Sequence, residues 1–159
     1  MPDMLVKLYE LPESTEVFKE LENKGYRIIR AMAPNKIKVL DFVRKNFSDY
    51  WVSECDVAFS NNPISCIIAV DSNKEIVGFA CYETTCKAFF GPIGVKESHR
   101  GLNLGKALLL AALQGLKEMG YAYAIIGGAE DAIGFYEKTV NATVIPGSAP
   151  GIYKNMLYP

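Results

Sequence analysis

The stretch Gly94–Leu110, GVKESHRGLNLGKALLL, decides how this chain reads. An apolar strand runs out at Val95. A short polar loop carrying His99 and Arg100 follows. Glycines at 101 and 105 then bracket the start of a helix whose first turn holds Lys106. The first N–H groups of a helix have no intrahelical partners, and the helix dipole is positive at that end. Glycines let those groups approach an anion closely, and Arg100 and Lys106 add charge. In physical terms this is a cradle for a pyrophosphate. A tight strand-to-helix turn with two solvent-facing cations fits the same residues. Two other phosphate patterns fail by counting. A P-loop needs GxxxxGK followed by Ser or Thr, but Gly101 and Gly105 enclose three residues and Ala107 follows Lys106. The dinucleotide pattern GxGxxG is absent.

On either side of this stretch the elements alternate. KAFFGPIGV precedes it as a strand weakened by Gly91, Pro92 and Gly94. A helix from Asn103 to Met119 is apolar around most of its circumference, as expected of a helix packed on a sheet. YAYAIIG then reads as a buried strand. Ala88–Gly127 is therefore a strand–helix–strand unit, which implies a right-handed parallel crossover. DAIGFYEKTV is a short helix ended by Asn141, and TVIPG and GIYKNML read as two closing strands.

Upstream, ISCIIAV and EIVGFACYE form an antiparallel pair about the turn Ser72-Asn73-Lys74. KIKVLDFVRKNF is a helix with Ile37, Leu40, Val43 and Phe47 on one face, and DYWVSECDVAF a further helix. YRIIRAMA is a strand. Before it, a helix capped by Ser14 or Thr15 runs to Lys24 and stops at Gly25. Met4–Leu11 alternates as a strand with one buried face. The fold class is α/β in mixed layers.

Composition sets the bounds. The chain has 159 residues, 50% of them hydrophobic and 22% charged. That suits one globular domain spanning 1–159. Seventeen basic residues against 18 acidic ones give a net charge of −1, which argues against a nucleic-acid partner. No apolar run reaches the roughly 20 residues a bilayer span needs. The start, MPDMLVKLYE, lacks a basic segment followed by an apolar core, so no signal peptide is expected. Cys55, Cys66, Cys81 and Cys86 are irregularly spaced, with no CxxC and one histidine, His99. Free thiols in a reducing cytoplasm, and no metal, are expected.

RGLNLGKALL resembles the pyrophosphate loop of the GNAT superfamily of N-acetyltransferases, whose pattern is Arg/Gln-x-x-Gly-x-Gly/Ala. Arg100 and Gly105 match its ends, and Asn103 stands at the middle glycine. DAIGFYEKTVNATVI is similar to the family's second signature at Ala132, Phe135 and Tyr136, with Ala129 where an asparagine is common. YRIIRAMAPNKIKVLDFVRKNF resembles its opening strand and helix. The resemblance runs from Tyr26 to Leu157, so residues 1–25 read as an added strand and helix on a core of 26–159.

The resemblance implies a mostly antiparallel mixed sheet, helices on both faces, and a splayed parallel strand pair. It implies acetyl-CoA as co-substrate, with its pantetheine arm in the gap as an extra strand. Backbone groups of Ile93 and Val95 would hold pantetheine and the thioester. The segment Arg100, Gly101, Leu102, Asn103, Leu104, Gly105 and Lys106 would hold the pyrophosphate. Tyr136 would sit near the departing sulfur. A phenol of pKa about 10 facing a thiol of about 8.5 makes full proton transfer uphill by about 2 kcal/mol. Tyr136 is therefore expected as a hydrogen-bond donor, or as a packed core ring.

The implied reaction is acetyl transfer to a primary amine, small-molecule or peptide, by direct attack. A non-catalytic acyl-CoA-binding or sensing module is the alternative. A lysine-like amine is neutral in only about one part in 2,500 at pH 7, a cost near 4.6 kcal/mol. A base must help, and KAFFGPIGV carries no carboxylate. Glu83, Glu130 and Asp131 are the candidates, Asp131 equally as a helix N-cap. Asp49, Glu54 and Asp56 would attract a cationic amine, with Tyr50 and Trp51 flanking it. His99 is expected exposed on the phosphate loop. The acceptor and the oligomeric state, a homodimer included, stay open.

Overall fold

A computed structural model describes residues 1–157. Its strands are β1 (Met4–Lys7), β2 (Arg27–Arg30), β3 (Cys66–Val70), β4 (Ile76–Tyr82), β5 (Phe89–Val95), β6 (Tyr123–Ile126) and β7 (Thr143–Val144). The helices are α1 (Thr15–Asn23), α2 (Lys36–Asn46), α3 (Asp49–Ala58), α4 (Leu104–Glu118) and α5 (Ile133–Val140). One sheet has the order β2-β3-β4-β5-β6-β1-β7. All neighbours pair antiparallel except β5 and β6, which are parallel as the crossover requires. This is the mixed, mostly antiparallel sheet that the GNAT resemblance implies.

Helices cover both faces. On one, α1 and α4 pack over Val6, Ile67, Val77 and Ala124, with Leu104, Leu108, Leu109 and Leu113 of α4 fully buried. On the other, α2 and α3 pack over Ile68, Phe79 and Cys81. The inner face of α2 is Val39, Phe42 and Val43. The expected stripe was rotated: Ile37 is 83% exposed, because it falls in the first turn, ahead of the residues that reach the sheet.

The N-terminal segment is a full member of the sheet. Met4, Val6 and Leu8 are buried on one face as the alternation predicts, although the strand ends at Lys7 and continues as a 3-10 turn. β1 lies between β6 and β7: Met4 pairs with Ile126 on one side and with Val144 on the other. The slot beside β6 is thus filled from the start of the chain. This explains the failure of the two expected closing strands. TVIPG keeps only the two residues of β7, and GIYKNML is a 3-10 turn over Gly151–Asn155. Gly147 and Gly151, at φ +73° and +59°, turn the chain back across the sheet end.

At α1 the expected cap is replaced. Neither Ser14 nor Thr15 caps with its side chain; the Glu13 carboxylate accepts from the N–H groups of both, at 3.0 Å each.

Candidate active site

β5 and β6 pair only at Phe89–Ile125 and Phe90–Ile126. Beyond Ile126 β6 ends, while β5 runs on to Val95 against β4 alone. Between Ala80 and Tyr82 the register slips: the two β4 residues face Ile93 and Phe90, so Gly91 and Pro92 bulge. A bulge re-aims the strand and leaves a residue unpaired. Lys96 N–H is turned to Val77 on β4 at 2.8 Å. Alternation therefore turns the backbone of Ile93 and Val95 the other way, into the gap. Val95 carbonyl accepts there from Arg100 Nε at 3.2 Å. These edges fit an amide-bearing ligand added as a strand.

The loop to α4 has the geometry its sequence suggests. Gly101 sits at φ +83° and Asn103 at φ +68°, the left-handed region that asparagine tolerates. Asn103 does not cap α4 with its side chain, so the first-turn amides of Gly105 and Lys106 have no partner within the helix. A Cβ on Gly105 would meet only Phe135 and Val95, each at 3.9 Å. The loop is open toward solvent, and Arg100 and Lys106 are exposed. His99 is not on that surface. Its Nδ1 and the Tyr26 hydroxyl form a 2.9 Å hydrogen bond, which ties the loop to the segment before β2.

A cavity of about 540 Å³ opens at the splay. Its lining includes Ile93, Ile126 and the Gly127–Ala132 loop, with Tyr136 of α5. Tyr50, Trp51 and Glu54 of α3, Thr85, and the returning C-terminal segment through Tyr153 and Met156 line it as well. Gly127 is needed here, because a Cβ would lie 2.1 Å from the Tyr153 hydroxyl. Tyr136 is 6% exposed and packs edge-on against Phe90 at 6.2 Å between ring centroids. Burial pushes its phenol up to about 12.

The candidate carboxylates separate. Glu83 does not line the cavity. Its carboxylate accepts from Ala88 N–H at 2.5 Å and from the Tyr121 hydroxyl at 2.8 Å, bracing the turn between β4 and β5. Glu130 and Asp131 line the cavity but are exposed in a 3-10 turn, and Asp131 caps nothing. Asp49 and Asp56 lie outside it, and Asp56 is paired with Lys36 at 2.7 Å. Glu54 alone is drawn inward. The Thr85 hydroxyl donates to it, and burial raises its pKa, partly offset by that hydrogen bond. The acidic run of α3 marked it in the sequence, though not as distinct from Asp49 and Asp56.

The irregular cysteine spacing concealed one grouping. Cys55, Cys66 and Cys81 are buried with their sulfurs within 4.8 Å of one another, between α3 and the β3–β4 pair. Burial pushes the Cys81 thiol well up; hydrogen bonds from Cys66 and Cys81 draw Cys55 down to about 5.

The sequence matches the Acetyltransferase (GNAT) family over residues 18–141. The chain belongs to that family. Solved structures share the fold at low identity. A glucosamine N-acetyltransferase region of a fungal multi-domain β-N-acetylglucosaminidase superposes with a TM-score of 0.74 at 14% identity, over 91% of this chain and 19% of that one. A GCN5-related N-acetyltransferase from Sphaerobacter thermophilus gives 0.70 at 17% identity, over 91% of this chain and 48% of that one. A Brucella melitensis family member in complex with acetyl-CoA gives 0.54 at 14% identity, over 76% and 86%. The chain thus spans less than half the length of the first two. No curated protein matches the sequence. Among the described residues, no helix is long and apolar enough to cross a membrane.

Proposed function

We propose that the protein transfers acetyl from acetyl-CoA to a primary amine by direct attack. One observation carries this reading: a single cavity at the splayed strands has both a half-buried carboxylate, Glu54, and a buried phenol, Tyr136, in its lining. Acetyl-CoA supplies the activated acetyl group. The outward edges of Ile93 and Val95 hold its arm, and the loop amides up to Lys106 hold its pyrophosphate.

Glu54 receives the amine. As a carboxylate it pairs with the incoming ammonium and takes up the proton that nitrogen must lose. A carboxylate with a raised pKa is a stronger base, and that lowers the cost of the transfer. Tyr136 faces the sulfur side. With its phenol near 12 against about 8.5 for a thiol, full proton transfer is uphill by about 5 kcal/mol. Tyr136 therefore donates a hydrogen bond to sulfur as its charge develops. The proton that the thiol finally carries comes from the amine through solvent or Glu54. A pure acyl-CoA sensor would have no use for an inward-drawn carboxylate in this cavity, and this favours the enzyme.

Calorimetric titration with acetyl-CoA, followed by thiol release with an amine panel, tests the proposal. Binding plus amine-dependent thiol release is expected. Binding without turnover on any amine returns the protein to a sensing role.

A further inference from the structure

Resting on that reading, we infer that the acceptor is a primary amine carried on an apolar, aromatic body that bears no acid group. Charge is the first reason. Among the described residues lining the cavity are three carboxylates, Glu54, Glu130 and Asp131, and no lysine, arginine or histidine. A carboxylate or phosphate on the acceptor would lose its hydration without meeting a cationic side chain, with the half-buried Glu54 of like sign in the same lining. Free amino acids and phosphorylated amines are disfavoured on this ground.

The walls are the second reason. Tyr50 and Trp51 of α3, Pro92 of β5, and Tyr153 and Met156 of the C-terminal segment give apolar and aromatic lining to the cavity that Glu54 shares. Aromatic faces attract an ammonium, and methionine packs well against rings. Five side-chain hydroxyls line the cavity, and those of Ser48, Tyr50 and Thr85 are engaged with Trp51 N–H, the Leu157 carbonyl and Glu54. A polyhydroxylated amine would leave most of its hydroxyls without partners, each a cost on burial. A polyamine's second ammonium would meet only Glu130 and Asp131, which are exposed and screened, and would gain little from them.

The third reason is the origin of one wall. Tyr153 and Met156 lie beyond the residues matched by the family, 18–141. The Tyr50 hydroxyl donates to Leu157 carbonyl at 3.2 Å, fastening this segment to α3. This part of the acceptor lining thus lies outside the matched stretch, and selectivity is expected to sit there.

The test uses the whole protein at saturating acetyl-CoA and four acceptors: tryptamine, tryptophan, glucosamine and spermidine. Tryptamine should lead in kcat/KM by about 100-fold or more over each of the others, as expected when buried polar groups go unpaired. Met156→Lys, which adds a cation to the wall, should lower the tryptamine rate and raise that of tryptophan. A preference for tryptophan, glucosamine or spermidine overturns the inference. So does absence of turnover with tryptamine while another of the four is acetylated. No turnover with any amine while acetyl-CoA binds would instead sink the underlying reading, as would failure to bind acetyl-CoA by calorimetry.

Discussion

The Thr85 hydroxyl donates to the Glu54 carboxylate and so joins helix α3 to the turn that follows β4. Both residues line the cavity that Tyr136 also lines. It holds a charged group of α3 inward, where a helix of this composition would ordinarily turn it to water. Burial raises the Glu54 pKa, and the bond from Thr85 offsets part of that rise.

Glu54→Gln should lower kcat by about 10²–10⁴-fold, the span of general acid–base effects. In the native enzyme kcat/KM should rise with pH through a pKa above the ordinary carboxylate value, and the variant should lose this acid limb. Stability moves the opposite way. A carboxylate whose folded pKa is raised binds its proton more tightly in the folded state, so stability falls as pH rises through that window. Glu54→Gln should therefore gain stability over the native protein at pH 7 relative to pH 4, as read by thermal unfolding at both.

Tyr136→Phe should cost kcat about 100-fold or less, because a thiolate is already a fair leaving group. Affinity for acetyl-CoA should hold, since the hydrogen bond matters only as sulfur charge develops. Because the phenol is pushed up to about 12, no limb of the pH–rate profile between 6 and 10 should be assignable to it. Removing the hydroxyl and finding such a limb gone would contradict the role as donor.

Gly105→Glu should abolish acetyl-CoA binding in a folded protein. Space exists for the Cβ, which meets its neighbours at 3.9 Å, so the effect comes from a negative charge at the phosphate loop. Gly94→Ala makes the contrast. Its Cβ would fall 2.4 Å from the Phe47 ring, so that variant should lose stability by about 1–3 kcal/mol through overpacking. Circular dichroism melts alongside calorimetry separate the two.

How much was legible in the sequence depended on how local the determinant was. The phosphate loop was readable because glycine, asparagine and two cations carry its geometry within seven residues, and the left-handed Asn103 is the kind of position asparagine tolerates. The parallel crossover was readable from the long apolar pattern of α4. Glu54 could not be told from Asp49 or Asp56, since only the approach of Thr85, 31 residues away, draws it inward. Glu83 looked equally available until Ala88 and Tyr121 claimed its oxygens. The thiol cluster is non-local in the same way: Cys66 and Cys81 face each other across β3 and β4, and α3 brings Cys55 over them. The closing strand was misread because the competitor for its place lay about 140 residues upstream, in β1.

That competitor carries the last prediction. Asp3, 7% exposed, stands at the head of β1. Its Oδ1 accepts from Gly128 N–H at 3.1 Å, and its own N–H donates to Ser148 Oγ at 2.8 Å. Its carbonyl accepts from Ile145 N–H at 2.9 Å. One residue thus pins both the Gly127–Ala132 wall of the cavity and the chain that returns after β7. Asp3→Ala removes the carboxylate and leaves the Gly128 N–H without its charged acceptor. The expected loss is about 1–3 kcal/mol, the range for leaving a buried donor without its partner. The catalytic consequence should be split. On the proposed binding of the acetyl-CoA arm along the splayed strands, the Gly127–Ala132 loop that Asp3 holds borders the arm, so KM for acetyl-CoA should rise several-fold with kcat changed less. Asp3→Asn, which keeps an acceptor oxygen, should restore most of both. If Asp3→Ala lowers melting temperature but leaves KM for acetyl-CoA untouched, β1 braces the sheet and has no part in shaping the site. Val6→Lys, which buries a charge in a position with no exposure, should instead unfold the protein, because β1 is an interior strand with a neighbour on each side.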